Sequence, residues 1–111
     1  MEVDKTKIIE EFGMVDSQND ELIISDMDSF KEVSRSLSSD TRLKILELLS
    51  QGPLDISRIA KKLKQTEANI SAQIQNLVKA NLVTTEFQPG NHGIRKICSL
   101  KTKRIIMNLF N

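Results

Sequence analysis

From Phe30 to Leu77 the apolar residues recur at three- and four-residue intervals, and beyond Leu82 they alternate with polar ones, so helices are expected to give way to strands. Phe30, Val33 and Leu37 fall at i, i+3 and i+7, one face of a first helix that Asp28 or Ser29 caps. Ser39-Asp40 restarts the chain into a second helix with a broad apolar face of Leu43, Ile45, Leu46, Leu48 and Leu49, which Gly52-Pro53 ends. Asp55 supplies the N-cap oxygen of a third helix, whose buried side is Ile56, Ile59, Ala60 and Leu63; Leu54 is placed to pack on Ile59 as a hydrophobic staple. After a break at Lys64-Gln65, Thr66 caps a fourth helix, 66 to 80, in which Ile70, Ile74 and Leu77 form the apolar stripe.

Leu82 to Phe87 is rich in β-branched residues and Ile94 to Ser99 alternates, so both read as strands; the QPGNHG between them makes a hairpin, 83 to 99, with a protruding tip. In the tail, Ile105, Ile106, Leu109 and Phe110 have the i, i+1, i+4, i+5 spacing of a last helix, 101 to 111. The first 27 residues hold two short apolar runs, Ile8-Ile9 and Leu22-Ile23-Ile24, around the turn-like string GMVDSQND. A hairpin or a helix followed by one strand both fit; helix or disorder first, then a strand, is the reading preferred here. The expected architecture is mainly α (α+β): a leader, 1 to 27, a winged helix-turn-helix domain, 28 to 100, and a C-terminal helix.

Two short helices joined by a few residues and followed by a two-stranded hairpin form the arrangement that reads duplex DNA. With its back pinned by Ile70, Ile74 and Leu77, the fourth helix offers Thr66, Glu67, Asn69, Ser71, Ala72, Gln73 and Gln75 to a major groove. Asn69, Gln73 and Gln75 are suited to bidentate bonds with adenine, and Thr66 and Ser71 to phosphate oxygens. Phosphate contacts are expected from Ser57, Arg58, Lys61, Lys62 and Lys64, and from Arg95 and Lys96 at the root of the hairpin. Asn91 and His92 at its tip are placed for a minor groove, although polar residues crowd turn tips in any case.

Charge sharpens this picture once it is divided along the chain. Residues 1 to 33 carry ten acids and three lysines, net −7, and residues 34 to 111 carry five acids and thirteen bases, net +8. A basic body with an acidic leader suits a phosphate binder, and a merely solvated leader gives the same numbers. The leader is open to three roles: a dimer-stabilising strand, a partner-binding tail, or an internal DNA mimic that covers the basic face. With one cysteine, Cys98, and one histidine, His92, the chain has no cysteine-rich zinc site and little from which to build an enzyme; Cys98 is expected in the core. No segment approaches the roughly 18 apolar residues that a membrane span needs, and a cytoplasmic protein without cofactor, metal or membrane partner is expected.

The stretch LSSDTRLKILELLSQGPLDISRIAKKLKQTEANISAQIQNLVKANLV resembles the ArsR-type winged-helix regulators in an archaeal-like style, with SSDTRLKILELL, IAKKL and ISAQIQNLVKANLV in the order and at the spacing of that family. The resemblance implies a homodimeric transcriptional repressor that binds double-stranded DNA. Leu54 to Arg58 stands where metal-sensing members place cysteines and holds none, and Gln73 stands where a basic or histidine side chain is frequent. Dimerisation is expected through Phe30, Val33 and Leu37 together with Ile105, Ile106, Leu109 and Phe110, because the small helical body leaves more apolar helix surface than it covers. The rival reading is a winged-helix protein-interaction module without specific DNA binding, since a fold does not fix a function.

Overall fold

The computed structural model describes residues 6–91 and 93–109. His92 and Phe110, named above for the wing tip and for dimerisation, lie outside the described residues. The described chain runs β1 (Lys7–Glu10), β2 (Gly13–Asp16), β3 (Glu21–Ile24), α1 (Met27–Leu37), α2 (Asp40–Leu49), β4 (Leu54–Asp55), α3 (Ile56–Leu63), α4 (Glu67–Lys79), β5 (Val83–Gly90), β6 (Gly93–Leu100) and β7 (Arg104–Met107). The helix-turn-helix and its hairpin wing are as expected, but the strands form two sheets and the fold is α+β without being mainly α.

The helix starts follow local chemistry. Ser39 accepts a bond from the Arg42 amide, Asp55 from Arg58 and Thr66 from Asn69, each satisfying an amide that has no partner inside its own helix. The first helix begins earlier than expected: Asp26, not Asp28 or Ser29, is its cap, accepting from the Ser29 amide at 3.1 Å and the Ser29 hydroxyl at 2.6 Å. Those bonds hold the Asp26 carboxyl below its ordinary range. Beneath the helices Val33, Ile45, Ile59, Ile70, Ile74 and Leu77 are completely buried, and Cys98 of the wing joins them.

The wing is the three-stranded sheet β4-β6-β5. Leu54 and Asp55, expected as staple and cap, also pair with Cys98 and Ile97, which ties the root of the wing to the start of α3. β5 runs further than expected, through Pro89 to Gly90; as an edge strand it tolerates a residue with no amide to donate.

The two ends of the chain depart from expectation. The leader is a meander of three antiparallel strands, not a helix or disorder followed by one strand. Gly13 decides the turn between β1 and β2: its φ is +102° and a Cβ there would stand 2.7 Å from Ile24 Cγ2 and 2.9 Å from the Ile23 carbonyl. The tail is strand β7, not a helix, and pairs in parallel with β3 from Glu21↔Arg104 to Ile24↔Met107, completing the sheet β1-β2-β3-β7. The helical stripe is real in the sequence, but a helix this short is marginal by itself, and Ile105 and Ile106 gain a ready-made strand edge.

This sheet is docked at the C-terminal end of α4. Asn81, at φ +65°, donates from Nδ2 to the Phe12 carbonyl at 3.1 Å and accepts the Thr102 hydroxyl on its own carbonyl at 2.7 Å. Lys101 reaches Glu10 at 3.4 Å, Lys103 reaches Asp20 at 3.7 Å and Arg104 reaches Glu21 at 3.1 Å. The acidic leader thus neutralises the basic tail. Lys61, Lys62 and Lys64, and Thr66, Glu67 and Asn69 at the start of α4, stay exposed, so the described residues of the leader do not act as a DNA mimic over them.

Candidate nucleic-acid interface

The front of α4 is built on a chain of amides. Arg42 of α2 donates from Nη1 to Gln73 Oε1 at 2.7 Å, and Gln73 Nε2 donates to Asn69 Oδ1 at 3.2 Å. Asn69 Nδ2 then donates to Gln65 Oε1, and Gln65 Nε2 donates to Thr41 Oγ1 at 3.0 Å. A guanidinium can only donate, so Arg42 forces the Gln73 oxygen toward itself, and that choice orients each following amide in turn. Arg42 also closes the end of α1, donating from Nε to the Ser36 carbonyl at 2.7 Å and from Nη2 to the Arg35 carbonyl at 3.0 Å. Arg42, Gln65 and Thr41 were not singled out in the sequence, where 31 residues separate Arg42 from Gln73.

Around this row Thr66, Glu67, Asn69, Ala72 and Gln75 are exposed, whereas Ser71 and Gln73 are half-buried. Ser57 donates its hydroxyl to Glu67, joining the start of α3 to the start of α4. Each of these two polar residues therefore already has a partner within the chain.

Asp55 performs a second task that its capping position does not announce. Its carboxylate is buried, accepts the Arg58 amide at 2.8 Å, and lies 3.7 Å from Arg58 Nε and 3.5 Å from Arg95 Nη1. Arg58 and Arg95 remain 65% and 49% exposed, so one anion holds two cations, from α3 and from the wing, with much of each guanidinium open to solvent. Beside Arg95 an open cleft of about 430 Å³ is lined by Asp55, Ser57, Glu67, Ser71, Arg95 and Lys96. Lys96 stands over the exposed Phe87 ring at 5.9 Å. Asn91 is exposed at the hairpin tip. Lys61, Lys62 and Lys64 are exposed and enter no ion pair among the described residues, in contrast to the basic tail. Lys64 has φ +57° at the end of α3, which turns the chain sharply toward α4.

Residues 39–85 match the model of the bacterial regulatory protein arsR family. The match runs from the cap of α2 to the start of β5 and so takes in the whole helix-turn-helix. The chain is similar to a homodimeric winged helix-turn-helix DNA-binding domain from Mycobacterium bovis, a possible ArsR-family transcriptional regulator, with 28% identity and a TM-score of 0.59 over 67% of this chain and 65% of that one. It is also similar to a transcriptional regulator homologue from Pyrococcus horikoshii, with 28% identity and a TM-score of 0.54 over 67% and 76% of the two chains. HlyU from Vibrio cholerae shares the fold at 18% identity and a TM-score of 0.54, over 63% and 72%. No curated protein sequence matches the chain. These family and fold relatives are transcriptional regulators, not enzymes.

The residues named for dimerisation fall into two groups. Val33 is wholly inside the chain's own core, and Phe30, Leu37 and Ile105 pack against that core, so Val33 has no surface to offer a partner. Ile106 and Leu109 are 38% and 66% exposed, and Met107 between them is 43% exposed. The apolar surface left open near the tail is therefore carried by a strand and the residues after it.

Proposed function

We propose that this protein is a sequence-specific, double-stranded-DNA-binding transcriptional regulator that acts as a homodimeric repressor in the cytoplasm. The observation that carries the proposal is the ordered amide row Gln73, Asn69 and Gln65 on the front of a helix within the segment that matches the arsR family, flanked by α3 lysines that are exposed and in no ion pair among the described residues. Asn69 and Gln73 have donors and acceptors left over after their internal bonds, and Gln75 is exposed beside them, so all three are suited to base edges. Thr66 and Ser71 meet phosphate at the start of α4, with Ala72 small enough to admit a thymine methyl. Lys61, Lys62, Lys64, Arg58, Arg95 and Lys96 neutralise the flanking backbone, and Asn91 follows the minor groove. A dimer sets two such helices about one DNA turn apart, roughly 34 Å. Occupancy of a promoter then excludes the transcription machinery.

Fluorescence anisotropy tests this directly, with the protein titrated against its own upstream DNA and against a scrambled duplex at two salt concentrations. Tighter binding to the upstream DNA, weakening as salt rises, is the expected result. Equal binding to both duplexes rejects sequence-specific regulation, and absence of binding at low salt favours the protein-interaction reading.

A further inference from the structure

The edge of the four-stranded sheet is open at β7, whose single strand neighbour among the described residues is β3. The parallel register assigns the backbone groups of β7 in alternation. Arg104 and Asn108 donate to the Asp20 and Ile24 carbonyls at 3.2 and 2.8 Å, so the even-numbered residues bond toward β3 and Ile105 and Met107 present N–H and C=O outward. Alongside that edge runs an apolar groove of about 360 Å³ lined by Leu37, Leu46, Leu82, Leu100 and Ile105. Ile105 shares its sheet face with Leu22, and Met107 shares it with Ile24, both of which are completely buried. A strand added at this edge therefore gains backbone hydrogen bonds and, for every second side chain, an apolar seat.

We propose that the occupant is a second copy of the chain: β7 pairs antiparallel with β7 of the partner about a two-fold axis at Ile106, and Met107 and Leu109 of each copy enter the groove beside β7 of the other. This rests on the homodimer reading above and names its surface. The axis makes Ile105 and Met107 of the partner subunit a hydrogen-bonded pair, and the reverse, using the four outward groups on each strand. Ile106 then meets Ile106 of the partner subunit on the outer face, extending the row Ile9, Met14, Ile23 and Ile106 that the register already aligns there.

Charge favours a copy over a charged peptide. Lys101, Lys103 and Arg104 are each paired with a leader carboxylate, so the edge is locally neutral and suits a strand whose centre, Ile105 to Met107, carries no charge. The antiparallel register also keeps the two Arg104 side chains four residues apart along the seam, roughly 13 Å, beyond a Debye length at physiological salt. Met107 and Leu109, exposed in one chain, are covered in two.

The test is disulfide trapping of Ile106→Cys in the full chain, with Ile9→Cys on β1 as the control and sedimentation equilibrium of the unmodified protein run beside it. Directly opposed residues of this type have Cα atoms about 4.5 Å apart, within disulfide reach, and the native Cys98 is buried. Ile106→Cys is expected to form a covalent dimer under mild oxidation and Ile9→Cys is not, while Met107→Lys raises the dimer dissociation constant by at least about tenfold. Reduced Ile106→Cys must melt as the parent does, so that loss of folding is read separately. A dimeric protein whose Ile106→Cys variant fails to cross-link, or whose Met107→Lys variant associates normally, overturns this surface and leaves the homodimer standing. A monomeric mass at tens of micromolar overturns both.

Discussion

Arg42 and Gln73 are joined by a 2.7 Å hydrogen bond from guanidinium to amide oxygen, and through it the end of α1, the start of α2 and the front of the recognition helix become one hydrogen-bonded unit. On the proposed DNA-binding reading, one of the side chains suited to a base edge is therefore aimed by a residue outside the α3–α4 pair.

Replacing Arg42 by Ala is expected to act on stability and on specificity together. Three charge-assisted bonds are lost and the Ser36 carbonyl loses the guanidinium it accepts from, whereas the Arg35 carbonyl keeps the Ser38 amide and hydroxyl, a loss of about 2 kcal/mol in urea unfolding. In anisotropy titrations the discrimination between the upstream and scrambled duplexes should fall toward that of Gln73→Ala. Retention of full discrimination by a folded Arg42→Ala protein would show that Gln73 needs no aiming.

Lys62→Ala should weaken binding to both duplexes alike and reduce the slope of log affinity against log salt by about 1, the signature of one phosphate contact. Gln73→Ala should instead narrow the gap between the duplexes. Equal losses on both duplexes from both variants would reject that division of labour.

Asp55→Ala removes the α3 cap and releases Arg58 and Arg95 at once. A capping loss of about 1 kcal/mol is expected in unfolding. Affinity for duplex DNA should then fall with the loss of wing alignment, although the substitution also removes a negative charge from the proposed interface. A gain in affinity would mean that Asp55 restrains the two arginines more than it positions them.

Cys98 gives the protein a pH dependence on the alkaline side. Burial pushes its thiol from 9.0 up to about 11 in the folded state. A raised folded value leaves stability intact below 9.0 and removes it as pH climbs from there to about 11, because the unfolded chain loses the proton first. The denaturation midpoint should fall over that window and do so less in Cys98→Ala. Thiol reagents at pH 8 should react slowly with the native protein and rapidly after unfolding.

Gly13→Ala tests the leader turn. The added Cβ meets Ile24 and the Ile23 carbonyl below 3 Å at a φ of +102°, so a loss of about 2 kcal/mol or more is expected by thermal melting.

The helix-turn-helix and the wing hairpin were legible in the sequence because their signals are local. Ser39, Asp55 and Thr66 cap helices whose apolar stripes lie within the next dozen residues, and turn residues stand between two alternating runs. Both ends of the chain, and the side-chain networks of the interface, are decided by contacts between distant residues. Ile105 pairs with Leu22 across the whole domain, and a tail with helical spacing becomes a strand because a sheet edge awaits it. Likewise Asp55 gathers Arg58 and Arg95, and Arg42 orients Gln73, only after α2, α3, α4 and the wing have packed. Periodicity and capping are properties of neighbours in sequence; which strand edge is open, and which amide an arginine reaches, are properties of neighbours in space.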